Sequence, residues 1–339
     1  MTKGRTIAII ALIAALASCR GPSRPVPSPS ESRRDGSAAA DAATRARSTG
    51  IGDASAIAPR AADVTSWTET LPLGSAPFST HPDVFVRGPN SLRAVRTFGV
   101  VVFLHGWFGC VSVVVGRENA PCTPGGPLRF AMDVAAQFDR AGIAAILVVP
   151  QLAFDAASSA GGRLSTDGGL RRMLGEIVSS PAVRAHLRAD VTLDAVQRVA
   201  LVAHSGAFVP AAEILAHGGV DVHELHLLDA LYRARPEFSD WVRTHRADFD
   251  PRLPDARRLT IIYTDREGTG PRSRAFIGQT ASALPMGAPR GSVVDHPLLA
   301  PPAEAIWSAP VFAMRTAVAH EDIPRTFLAT LLDSRAWRR

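Results

Sequence analysis

The chain has 339 residues, of which 46% are hydrophobic and 20% charged, enough apolar material for one large core; a wholly disordered protein is excluded. Its formal net charge is +6, yet the cations are almost all arginines scattered among acids, with Lys3 the single lysine. That distribution lacks the basic stripe or cluster of a nucleic-acid binder, so no nucleic-acid partner is expected.

Taken in chain order, Lys3 and Arg5 form a short basic region before an apolar run from Ile7 to Leu16. The run is too short to span a bilayer, which takes about 20 apolar residues, and it reads as an export signal. Leu16-Ala17-Ser18-Cys19 closes it and resembles the lipobox of bacterial lipoproteins. The resemblance implies a signal peptide over residues 1–18, cleavage before Cys19 and diacylation of that cysteine, so the membrane is an expected partner through an N-terminal lipid anchor. Arg20 follows where an inner-membrane retention signal resembles Asp, which implies an exported lipoprotein of the outer membrane, on its periplasmic or surface face. Residues 19–62 are dense in Pro, Ser, Ala, Arg and Gly with no sustained apolar period, and are expected to be a flexible tether. The folded domain is expected over residues 63–339.

Within that domain short apolar runs alternate with longer amphipathic stretches, the pattern of an α/β fold with a mostly parallel sheet and helices on both faces. Strands are predicted at Val100–Leu104, Ala144–Val149, Val199–Ala203, Glu224–Leu228, Leu259–Tyr263 and Pro310–Met314. Helices are predicted at Leu128–Arg140, Gly168–Ser179, Gly206–His217, Glu237–Thr244, Pro271–Ala283 and Ile323–Leu332. Open α/β sheets place ligands at the carboxyl ends of their strands, so residues just after each strand are the place to seek chemistry.

The strand predicted at Val199 turns at once through His204-Ser205-Gly206-Ala207 into an apolar helical stretch. Ala203-His204-Ser205-Gly206-Ala207 resembles the nucleophile elbow of the α/β-hydrolase superfamily, G-x-S-x-G, with Ala at both outer positions. Such a turn lifts a serine oxygen clear of the sheet, beside the amides and positive dipole end of a helix N-terminus. A serine capping an ordinary strand–helix junction would look similar. Upstream, His105-Gly106-Trp107 follows an all-apolar strand and resembles the H-G-x turn that supplies an oxyanion-hole amide in this family. The resemblance implies the α/β-hydrolase fold, Ser205 as nucleophile, and the backbone amides of Trp107 and Gly206 as oxyanion donors.

The family's chain order is nucleophile, acid, base. His320 follows the strand predicted at Pro310 and precedes Ile323-Pro324, and fits the base. Three acids fit the remaining role. Asp229 directly follows Leu227-Leu228 and precedes Ala230-Leu231-Tyr232, which shields it; Asp265 and Glu267 follow the strand at Leu259, the family's usual place, in what reads as a solvated turn. Asp229 is preferred because a shielded acid better holds the imidazole tautomer.

His223, Glu224 and His226 do not form a metal-binding H-E-x-x-H, and no Gly-rich phosphate loop or dinucleotide fingerprint follows a strand, so neither metal nor cofactor is expected. With Cys19 lipidated, Cys110 and Cys122 remain as an even pair in an oxidising exterior, and a disulfide between them is expected. The segment Gln151 to Leu187, with Gly161-Gly162 and Gly168-Gly169, is a candidate mobile cover for the pocket. The expected function is a serine hydrolase of carboxylic esters or thioesters acting on a small-molecule or lipid-like acyl substrate. A cell-wall or peptide amidase with the same triad, and a catalytically silent binding lipoprotein suggested by Ala203 and Ala207, are the alternatives.

Overall fold

The structure is a computed structural model that describes residues 65–250, 252–253, 255–265, 268–284, 292–294, 306, 309–332 and 337. The expected signal peptide, Cys19, the tether and the candidate acid Glu267 lie outside the described residues.

In chain order the strands are β1 (Ser66–Pro72), β2 (Asp83–Pro89), β3 (Phe98–Leu104), β4 (Ala120–Pro121), β5 (Leu128–Arg129), β6 (Ala145–Pro150), β7 (Val196–His204), β8 (Glu224–Leu228), β9 (Arg258–Tyr263), β10 (Ser292–Val294) and β11 (Val311–Arg315). The helices are α1 (Val111–Val114), α2 (Val134–Ala141), α3 (Gly169–Ser179), α4 (Pro181–Arg184), α5 (Phe208–His217), α6 (Pro236–Thr244), α7 (Gly270–Ala283) and α8 (Ile323–Leu332). Among the described residues, nine strands form one sheet in the order β1-β2-β6-β3-β7-β8-β9-β11-β10. The β1–β2 and β2–β6 pairings are antiparallel; every other neighbouring pair in the sheet is parallel.

The central strands are buried on both faces because successive side chains point to opposite sides. Along β3, Val100, Val102 and Leu104 enter one core with α3, α5, α6 and α7, while Val101 and Phe103 enter another with α2 and α8. Each fully buried Val, Leu or Phe contributes roughly 1.5–3 kcal/mol, so the Gly-Val-Val-Val-Phe-Leu run is a principal source of cohesion. This is the mostly parallel, two-faced α/β architecture that the alternation predicts.

Several boundaries differ. The helix predicted over Leu128–Arg140 begins only at Val134, and Leu128–Arg129 instead pairs antiparallel with Ala120–Pro121. Gly125-Gly126-Pro127 turns the chain there, Gly125 at φ +75°, and a helix cannot run through that turn. The strand predicted from Pro310 starts at Val311: Pro310 has no N–H to give the ladder, and it contributes only its carbonyl, to the Leu259 amide at 2.8 Å. β1 and β2 lie outside the predicted strands: β1 has only Trp67 and Leu71 as large apolar residues, and β2 is buried at three consecutive positions, so neither carries a clear period of two.

Candidate active site

Ser205, the candidate nucleophile, sits immediately after β7 in a single turn of 3₁₀ helix, Ser205–Ala207, that leads into α5. Its backbone is left-handed, φ +56°, the sharp strand-to-helix turn that the elbow motif implies. Gly106 packs directly on it: a Cβ at Gly106 would stand 2.6 Å from the Ser205 Cβ and 3.1 Å from its Oγ. On the other side a Cβ at Gly206 would stand 2.6 Å from the Trp107 ring. Glycine is therefore required at both places by close approach, and the two motifs, about a hundred residues apart in sequence, interlock. Trp107 is itself held by an indole N–H donated to the Ser159 hydroxyl at 2.8 Å. Of the two expected oxyanion donors, Trp107 follows the glycine that packs on Ser205 and Gly206 follows the serine directly in the same turn.

His320 lies on the single turn His320–Asp322 just before α8. Its Nδ1–H donates to Asp229 Oδ2 at 2.8 Å, a tautomer inferred from the carboxylate partner. The proton on Nδ1 leaves Nε2 as an acceptor. Asp229, 0% exposed, follows β8 with φ +46°. It also accepts the Thr264 amide at 3.0 Å, the Thr264 hydroxyl at 2.8 Å and the Thr269 hydroxyl. Burial pushes this carboxyl up, but the hydrogen bonds from His320, Thr269 and Thr264 outweigh it and hold the pKa below the ordinary carboxylate value. Asp229 is thus kept ionised against His320.

Asp265, the alternative acid, is exposed and turned elsewhere: it pairs with Arg274 at 2.8 Å and Arg315 at 3.1 Å. Its place in the turn after β9 is filled by Thr264, which serves Asp229.

Two buried histidines frame the site, and neither role was read from sequence. His204 precedes the serine; its Nε2–H donates to the backbone carbonyl of His320 at 3.0 Å, and its ring lies 4.6 Å from the His320 ring. Burial, then the proximity of His320, lowers its pKa to about 3, so it stays neutral and holds the His320 loop to the end of β7. His105 donates from Nδ1 to the Gly106 carbonyl at 2.9 Å and accepts at Nε2 from the Leu152 amide at 3.0 Å and Gln151 at 3.1 Å. Burial lowers its pKa to about 4, against the hydrogen bond to Gly106. It clamps the Gly106–Trp107 turn. A histidine at each turn was visible in the sequence, but the partner carbonyls carry no sequence signal.

Ser205, His320, His204, Gly106 and Trp107 line one cavity of about 190 Å³, which Phe108, Cys110, Leu128 and Phe130 extend outward. Cys110 and Cys122 form the expected disulfide, with Cα atoms 5.8 Å apart. No residue from Gln151 to Leu187 lines this cavity directly, though Ala156 and Ser159 of that segment hold Phe108 and Trp107, which do. Gly162 serves close packing instead, since a Cβ would meet the Pro77 carbonyl oxygen at 2.1 Å. No hydrogen bond joins Ser205 to His320 among the described residues; such contacts are commonly long before substrate binds. Among the described residues no cluster of His, Cys, Asp or Glu is placed to hold a metal ion.

No family model matches the chain, and no curated protein matches it in sequence. Solved structures do. One is a mutant of the feruloyl esterase module from Clostridium thermocellum, complexed with sinapinate, at 9% identity and TM-score 0.46 over 79% of this chain and 87% of that one. A ferulic acid esterase matches at 13% identity and TM-score 0.42, over 81% and 97% of the two chains. An IroE-like serine hydrolase from Shewanella oneidensis matches at 12% identity and TM-score 0.36, over 78% of each chain. From the sheet order, the turn at Ser205, and Asp229 and His320 following strand ends, the chain has the α/β-hydrolase fold.

Proposed function

We propose that this chain is a serine hydrolase that cleaves carboxylic esters or thioesters through an acyl-enzyme, with Ser205 as nucleophile, His320 as general base and Asp229 as its orienting acid. The observation that carries the reading is the 2.8 Å Asp229–His320 hydrogen bond at the wall of the cavity that holds Ser205. His320 Nε2 takes the Ser205 proton as Oγ bonds to the ester carbonyl carbon, and the carbonyl oxygen becomes an oxyanion received by the Trp107 and Gly206 amides. As the tetrahedral intermediate collapses, the bond to the alcohol oxygen breaks and His320 returns the proton to that leaving group. Water then repeats the cycle: His320 takes its proton, hydroxide adds to the acyl carbon, and Ser205 leaves with the proton returned. Asp229 remains ionised throughout and stabilises the imidazolium. Lipidation of Cys19 and export belong to the same reading on sequence grounds.

Covalent labelling by a fluorophosphonate probe tests it. Ser205 is expected to carry the label and Ser205→Ala to abolish it; folded protein that takes no label, or labels equally as Ser205→Ala, overturns the assignment and favours a silent binder.

A further inference from the structure

Among the described residues five large hydrophobic side chains are exposed: Trp107 at 54%, Phe108 at 41%, Leu128 at 69%, Phe130 at 56% and Leu253 at 44%. Single exposed apolar residues are ordinary, but here four of the five gather at the mouth of the cavity that holds Ser205. A contiguous apolar rim around a reactive group marks a binding surface.

The rim is also held in place rather than left loose. The β4–β5 hairpin is tied to the end of the Gly106–Trp107 loop by the Cys110–Cys122 disulfide. Alternation along β5 and beyond puts Leu128 and Phe130 on one side and Arg129 on the other. Arg129 pairs with Asp155 at 2.5 Å and its guanidinium lies 4.6 Å from the centre of the Phe108 ring. The Ala131 amide is held by Asn119 Oδ1 at 2.9 Å. These tethers fix the hairpin, and Arg129 and Glu321 line the cavity beside the exposed Leu128 and Phe130.

The cavity, at about 190 Å³, is smaller than the roughly 300–1,000 Å³ that encloses a drug-sized ligand. A small group beside the ester fills it, and anything longer emerges over Leu128 and Phe130. We propose that Leu128 and Phe130, with Trp107 and Phe108, form the subsite for an extended apolar chain or ring on the acyl half of the ester, so that the preferred substrates are apolar esters and short polar ones are poor. This rests on Ser205 being the nucleophile.

The test is the ratio of kcat/KM for para-nitrophenyl octanoate to that for the acetate. Each methylene buried on the rim adds about fourfold, so the wild-type ratio is expected well above one. It should fall by about tenfold or more in Leu128→Ser/Phe130→Ser, which removes the two side chains, and rise in Leu128→Trp, which enlarges the face. Melting temperatures check that each variant is folded. Measuring below and above the micelle concentration separates sources of the apolar group: a preference present below it supports single ester molecules as substrate, and one present only above it supports an ester phase docked on the same rim. Wild-type protein that takes the fluorophosphonate on Ser205 but shows a flat chain-length series overturns the subsite and leaves the hydrolase reading standing. A ratio unchanged in the double variant overturns the residues assigned. Protein that takes no label at all overturns both.

Discussion

Strand β8 carries one carboxylate–histidine pair near its start and another just past its end, and the second opens on the cavity that holds Ser205. At its start Glu224 meets His226 at 3.2 Å, both side chains 0% exposed, and Arg198 donates to the same carboxylate at 2.7 Å. Just past its end Asp229 meets His320 at 2.8 Å, and that histidine is 14% exposed on its side chain. Burial raises the Glu224 pKa, but the bonds from His226 and the charge of Arg198 outweigh it and hold it at about 2. In both pairs the carboxyl pKa is therefore held below its ordinary value against a histidine within hydrogen-bond reach. What differs is placement: the first is sealed in the sheet near its amino end, whereas the second stands at the carboxyl end beside a serine on a strand-to-helix turn. A histidine–carboxylate contact alone does not make a site.

The sharpest way to break this comparison is to remove one carboxylate charge at a time. Asp229→Asn is expected to lower turnover by up to about 10⁴-fold through the wrong imidazole tautomer, with a modest change in melting temperature. Glu224→Gln should do the reverse, leaving turnover of the folded protein near wild type while costing about 3–5 kcal/mol, because Arg198 would be left as an unpaired buried charge. Steady-state turnover and denaturant unfolding of both variants decide it; equal losses of activity would erase the distinction between the two ends of β8.

A smaller effect sharpens the comparison through pH. His105 and His204 sit in the folded protein with pKa values lowered to about 4 and about 3 from 6.5. Between those values and 6.5 the unfolded chain binds more protons than the folded one, so stability is full above about pH 6.5 and falls as pH drops towards 4. Unfolding free energy followed from pH 7 to pH 4 should show this decline, and His105→Gln should flatten part of it. Asp229 and Glu224, with lowered pKa values, keep their contribution down to about their ordinary values of 3.8 and 4.5 and lose it as pH falls below those, so Glu224 joins the decline only at the acid end of this window.

The sequence made much of this site legible because its chemistry follows strand ends, and strand ends follow apolar runs. Ser205 was marked by its turn, His320 by its place before the last helix, and Asp229 by the apolar residues on both sides. The roles of His204, Thr264 and Thr269 were not legible, since their partners are a carbonyl 116 residues away and a carboxylate reached across two strands. The β4–β5 hairpin was hidden by an apolar spacing from Leu128 onward that also suits a helix, and only the Gly125-Gly126-Pro127 turn separates the two readings. Of the two described acids, Asp229 is buried and bonded to His320 while Asp265 is exposed and paired with Arg274 and Arg315, a difference that neighbouring residues could only suggest.

Ser205 and Asp229 share a left-handed backbone, at φ +56° and +46°, a conformation that glycine adopts freely and other residues reach at a cost of order 1 kcal/mol or more. On folding grounds alone glycine would be the better letter at Ser205, whereas at Asp229 the carboxylate accepts buried hydrogen bonds from Thr264 and Thr269 that glycine would leave unmet. Ser205→Gly should therefore hold or raise the melting temperature, by up to a few degrees, while ending turnover. A loss of several degrees would mean that the serine side chain supports the fold. In the expected case the letter at Ser205 is specified by the reaction and tolerated by the architecture, and stability selection acting alone on this position would drift away from activity.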